Sequence, residues 1–216
     1  MTSPGVAALL LDLDGTLVDS EPLHRERYRA WFEQRGWPYD DEVASLFTGR
    51  RADDVFRTVE GPWRGEDPEA LLAEILGLEP MRGVPEPVAG AVAAVAWARA
   101  AGIPLALVTS AGTGWVGRVL DPFGGIAVLD ATVTREDITD GKPDPACYVL
   151  ACERLGVDPG AAVACEDAPD GVRAAAAAGV GTVVGVTTSF PAQRLSDAGA
   201  THTLPDLTTL PALLGG

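Results

Sequence analysis

Cysteine and histidine are scarce: the 216-residue chain carries three cysteines, Cys147, Cys152 and Cys165, and two histidines, His24 and His202. So few soft ligands exclude a zinc centre, and the thiols read as buried side chains of a reducing compartment. Basic charge is also short, with 16 Lys and Arg against 31 Asp and Glu, a net charge of -15 and a pI of about 4.4. That balance excludes a nucleic-acid partner, which needs clustered cations to displace counterions from phosphates. No apolar run approaches the roughly 20 residues that cross a bilayer. The Ala- and Val-rich stretch 88–101 contains Trp97 and Arg99 and stops at Gly102, as a water-soluble helix does. The opening MTSPGVAALLLDLDG has no charged n-region, and Asp12 interrupts its apolar run. It does not read as a signal peptide, and the expectation is a cytoplasmic protein without a membrane partner.

What is present describes a globular α/β protein. With 47% hydrophobic and 22% charged residues, the chain can bury a sizeable core as one domain, or one plus a small insertion. Short apolar runs at 6–11, 103–108, 161–165 and 182–186 suit buried parallel strands. Between them, residues 88–101, 145–155 and 169–178 read as helices, several opened by Pro or Asp and closed by Gly. The alternation predicts a doubly wound, Rossmann-like parallel sheet. Residues 21–82 break the rhythm, because Tyr28, Trp31 and Phe32, then Leu71, Leu72, Ile75 and Leu76, recur at helical spacing without a strand. The expected division is an α/β core of residues 1–17 and 84–216 and an inserted helical unit of 18–83, with hinges at 17–20 and in the stiff GVPEP of 83–87.

Chemistry concentrates where strands end. In LLLDLDGTLVDS, residues 9–20, an apolar strand delivers Asp12 and Asp14 to the edge of the sheet where open α/β folds bind ligands. Two carboxylates so close raise each other's proton affinity unless a cation is shared, and magnesium takes carboxylates together with substrate phosphate. A turn explains Asp14-Gly15 but not Asp12. VTSAG, residues 108–112, brings Thr109 and Ser110 to a second strand end, as phosphate-binding hydroxyls or as helix N-caps. GKPDP, residues 141–145, offers Lys142, and AAVACEDAPDG, residues 161–171, ends another buried strand in Glu166 and Asp167. Acids at the end of a buried strand suit metal ligation better than solvation.

Taken in order and spacing, DLDGT, the Thr109-Ser110 strand, Lys142 of GKPDP and EDAPDG resemble the haloacid dehalogenase superfamily in its phosphatase and phosphomutase branch, over nearly the whole chain. FTGRRADDVF, VTSAGT, GKPDPACY and VVGVTTSF are similar to its sugar- and glycerol-phosphate phosphatases, and the helical interval resembles that family's small cap domain. The resemblance implies Asp12 as nucleophile and Asp14 as acid and base. It implies Mg2+ held by Asp12, Asp167 and the Asp14 carbonyl, with Glu166 as ligand or neighbour, and phosphate held by Thr109, Ser110 and Lys142. The expected substrate is a small-molecule phosphate ester, a sugar or polyol phosphate. A phosphomutase uses the same residues and is the alternative; a hydrolytic dehalogenase would need no metal cluster, and a regulatory module without turnover would not need the intact set. His24 reads as the histidine that phosphomutases carry at the start of the cap or as a solvated helix residue. Arg51 reads as a cap side chain reaching a substrate hydroxyl or phosphate, or as a partner of Asp53 or Asp54, and Ser20 as an N-cap at the hinge. Oligomeric state has no signature in the sequence.

Overall fold

The computed structural model describes residues 5–78 and 83–215; residues 79–82 of the expected insertion, and the first four and the last residue of the expected core, lie outside the described residues. Six parallel strands form one sheet: β1 Ala8–Leu11, β2 Leu105–Val108, β3 Ala131–Val133, β4 Ala162–Glu166, β5 Thr182–Val186 and β6 His202–Leu204. Their order is β3-β2-β1-β4-β5-β6. The chain leaves β1 toward β2 and β3, then returns to its other side with β4, so the order reverses at β1 and β4 and opens a crevice at their carboxyl ends. The four expected strands form, with ends shifted by up to two residues. β3 was not foreseen: three residues, two of them half-buried, give no apolar run to detect.

Alternation along the strands sorts the core into two layers. Leu9, Leu11, Leu105, Leu107, Val163 and Cys165 face one way, against α5 Ala91–Ala100, α6 Thr113–Val119 and α10 Leu210–Leu213. Ala8, Leu10, Ala106, Val108, Ala162 and Ala164 face the other, against α7 Ala146–Leu155, α8 Pro169–Ala177 and α9 Ala192–Ala198. All three cysteines are buried and unpaired. No helix among the described residues is long and apolar enough to cross a membrane.

Between β1 and α5 lie α1 Glu21–Arg35, α2 Asp41–Phe47, α3 Ala52–Thr58 and α4 Pro68–Gly77. Capping is local: Asp40 accepts from the Val43 amide at the start of α2, and Asp67 from the Glu69 amide before α4. These helices bury a core of their own in which Phe32 meets Phe47 at 6.0 Å and Trp63 at 6.1 Å between centroids, both near edge-to-face. Two backbone connectors join them to the sheet side by side. Asp19 donates its amide to the Glu86 carbonyl at 2.8 Å, and Val88 to that of Leu17 at 2.9 Å. Phe32 is fully buried in this aromatic core, so Phe32→Ala is expected to cost about 3–5 kcal/mol, read as a lowered midpoint in urea unfolding.

Candidate active site

The carboxyl ends of β1, β2 and β4 bring together residues separated by most of the chain. Asp12 follows β1, Thr109 follows β2, and Glu166 ends β4 with Asp167 next. Lys142 reaches them from the loop between β3 and α7, with Nζ 2.6 Å from Asp12 Oδ1, 2.5 Å from Glu166 Oε1 and 3.1 Å from the Val108 carbonyl. All five side chains are buried. Burial raises Asp12 to about 7, with the Glu166 charge adding and Lys142 opposing. Asp167 rises well above the usual carboxylate range through burial and the Asp12 and Glu166 charges. Burial works against the Lys142 ammonium, but Asp12 and Glu166 outweigh it and raise its proton affinity.

Asp12, Glu166 and Asp167 offer carboxylate oxygens that all lie within 4.8 Å of one another. Asp167 Oδ1 is buried without a hydrogen-bond partner, which is the environment of an oxygen shaped for a cation. Glu166 is differently engaged, since its Oε1 accepts from both Lys142 and the Tyr148 hydroxyl, the latter at 2.5 Å. Gly15 makes the approach feasible. At φ +81° it turns the chain after Asp14, and a Cβ there would collide with the Asp167 carboxylate and the Ser189 hydroxyl.

Asp14, two residues from Asp12, has a separate set of partners. Its Oδ1 accepts from Ser20 Oγ at 2.6 Å and Trp115 Nε1 at 2.9 Å and lies 3.1 Å from His24 Nε2. Burial alone would raise Asp14; the hydrogen bond and charge of His24, with Ser20 and Trp115, outweigh it and hold the carboxyl below its ordinary value. Burial likewise disfavours the His24 cation, and the Asp14 bond and charge more than offset it. His24 therefore faces the site, with its side chain half-buried. Ser20 precedes α1, yet its side chain makes no capping bond: its backbone is helical (φ -94°, ψ -10°) and not extended as an N-cap requires, and its hydroxyl instead donates to the Asp14 carboxylate. Trp115 and Tyr148 escaped sequence reasoning altogether: each sits on a helix among apolar neighbours, where an aromatic residue reads as core.

Above these groups lies a cavity of about 390 Å³. Thr109 and Ser110 line it from the sheet side; Tyr28, Tyr39, Phe47 and Arg50 line it from the helical side. Neither Thr109 nor Ser110 caps α6, whose N-cap position is Gly112, and Thr109 Oγ1 instead accepts from the Ala111 amide at 3.0 Å. Arg51, expected to reach a substrate hydroxyl, is turned away from the cavity. Its guanidinium donates to Asp53 at 2.8 and 3.2 Å and to the Thr139 carbonyl at 3.0 Å, so it fastens the helical unit to the sheet. Arg50 takes the cavity wall and pairs with Asp170 at 3.1 Å. Gly49 presses against Ala168 in the same contact, where a Cβ would clash.

Residues 6–179 match the family profile described as haloacid dehalogenase-like hydrolase. The chain is 37% identical over 191 residues to the validoxylamine A 7'-phosphate phosphatase of Streptomyces hygroscopicus subsp. limoneus, covering 88% of this chain and 89% of that protein. It is 33% identical over 204 residues to hexitol phosphatase A of Escherichia coli K12, with 92% of each covered. The crystal structure of CbbY from Rhodobacter sphaeroides in complex with phosphate superposes with a TM-score of 0.77 at 28% identity, over 95% of this chain and 96% of that one. The chain thus belongs to the haloacid dehalogenase-like hydrolases.

Proposed function

We propose that this protein hydrolyses a small phosphate monoester, a sugar or polyol phosphate, in a magnesium-dependent reaction through an aspartyl-phosphate on Asp12. The observation that carries the reading is the pair of aspartates two residues apart in opposite settings: Asp12 sits in the buried cluster with Lys142, and Asp14 stands outside it with three donors of its own. The first setting suits attack and the second suits proton transfer. Relatives named as phosphatases of phosphorylated carbohydrates support the substrate class.

Asp12 attacks phosphorus and displaces the alkoxide, which splits one difficult displacement into two. Asp14 gives its proton to the departing oxygen and then takes one from the water that attacks the acyl phosphate. A phosphate dianion beside Asp14 raises its proton affinity, which opposes the lowering set by its three donors. Lys142 neutralises Asp12 and Glu166 and draws charge from the transferring phosphoryl group, while Thr109 and Ser110 hold its other oxygens. Asp12, Asp167 and the Asp14 carbonyl would hold the magnesium ion, with Glu166 kept beside them by Lys142 and Tyr148. When bound, the cation screens the approach of an anionic nucleophile to an anionic ester. Residues 18–83 act as the cap and residues 1–17 and 84–216 as the catalytic core. The three unpaired thiols suit a cytoplasmic setting.

Asp12→Asn keeps the side-chain shape and removes the nucleophile, so it should abolish phosphate release from sugar phosphates while the unfolding transition is retained. Near-native turnover in the folded variant would refute the mechanism. Chelation should silence the protein and added magnesium restore it, and Asp167→Ala should raise the magnesium concentration needed for half-maximal activity by at least about tenfold, the scale of one lost ligand. Full activity in excess chelator would remove the metal from the reading. Transfer of phosphate to a second hydroxyl of the sugar, in place of release to water, would indicate the phosphomutase.

A further inference from the structure

Asp14 is held from two directions. Ser20 at the hinge and His24 on α1 come from the helical side, and Trp115 comes from α6 of the sheet domain. Trp115 is half-buried and lines the cavity, with the His24 ring 5.4 Å away on one flank and the Arg118 guanidinium 5.6 Å from its ring centroid. Its helix is anchored beneath it by the buried Val116 and Val119. Trp115 packs against the apolar layer beneath it, but its indole N–H is turned to the cavity side and to Asp14. An indole N–H at such a wall needs an acceptor, and here the acceptor is the carboxylate assigned to proton transfer.

Resting on the phosphatase reading above, we infer that Trp115 is a positioning residue for Asp14: its indole N–H fixes the carboxylate through Oδ1 and leaves Oδ2 to exchange the proton with the leaving group. The three donors share Oδ1, so the proton occupies Oδ2, passes to the ester oxygen as the P–O bond breaks, and is regained from the attacking water. A serine hydroxyl or imidazole can accept as well as donate and so competes for that proton, whereas indole only donates. Trp115 also stays with the sheet when the helical side moves. Its bond to Asp14 thus comes from the same domain as the carboxylate it holds, whereas that of His24 comes from α1.

The test compares esters that do and do not need the proton. Trp115→Phe removes the donor and keeps an aromatic ring; 3-benzothienylalanine at the same position replaces N–H by sulfur in a ring system of the same shape, and serves if phenylalanine perturbs folding. In single-turnover measurements with magnesium, phosphoryl transfer from a sugar phosphate should slow roughly tenfold, as for one lost charge-assisted hydrogen bond, and that from 4-nitrophenyl phosphate by less than about twofold. KM should barely change, and in an Asp14→Asn background the same substitution should cost nothing further. Equal losses on the two esters, or a loss confined to KM, would overturn the inference while leaving the phosphatase reading intact. Native protein that releases phosphate from no ester would overturn that reading and the inference with it.

Discussion

Three carboxylates around one ammonium, all removed from water, set the terms for everything near them. Two like charges about 4 Å apart repel by roughly 4 kcal/mol at the effective dielectric of a protein interior, and burial adds to that repulsion by removing water, so Asp12 and Asp167 bind protons more readily than ordinary carboxylates in spite of Lys142. Protons or a cation relieve that repulsion, and burial pushes Asp12 and Asp167 toward the first answer until the second is available. A doubly wound sheet suits this demand. Parallel strands end together, the order reverses at β1 and β4, and these two strand ends deliver three carboxylates to one point without bending a strand. Lys142 arrives on the loop between β3 and α7.

The second constraint is that Asp14 must be near this cluster but not part of it. Period-two geometry would send Asp12 and Asp14 the same way along a continued strand. The chain prevents that by ending the strand, turning at Gly15 and pairing Gly15 and residue 18 backbone groups, which puts Asp14 against the helical side. The connectors at 17–20 and 83–87 then run together, so the residue that contacts Asp14 from the hinge, Ser20, is fixed by the same backbone that joins the two halves. Contacts of Gly49, Arg50 and Arg51 with Ala168, Asp170 and Thr139 close the opposite rim.

Much of this was legible in the sequence because burial writes itself in apolar runs. β1, β2, β4 and β5 are buried on both faces and stand out, as do the acids that interrupt them. What the sequence hides is direction. Ser20 has the type and place of an N-cap, and only coordinates reveal that its backbone is helical and its hydroxyl is turned to donate to Asp14. Arg50 and Arg51 are neighbours in one turn, so which one lines the cavity depends on backbone angles that residue type does not encode. Trp115 and Tyr148 carry polar tips on apolar bodies; periodicity registers the body and misses the tip.

The cavity follows the same separation of tasks. Its sheet-side wall is short, polar and built from strand ends, which suits a phosphoryl group common to all esters. The opposite wall draws on α1, α2 and α4, with Tyr28, Phe47 and Ile75 beside Arg25 and Arg27, a mixture of faces and donors rather than a single charge. Ion pairing already commits Arg25 to Glu21 and Asp41, so its head is held in place before any ligand arrives. Under the proposed function, a wall of fixed donors between aromatic rings would discriminate among polyhydroxylated groups by where their hydroxyls fall, since a hydroxyl without a partner costs more than a misplaced methylene. Selectivity would then reside in helices that are set apart from the carboxylate cluster and, among the described residues, meet the sheet domain at Asp14 and along the rim.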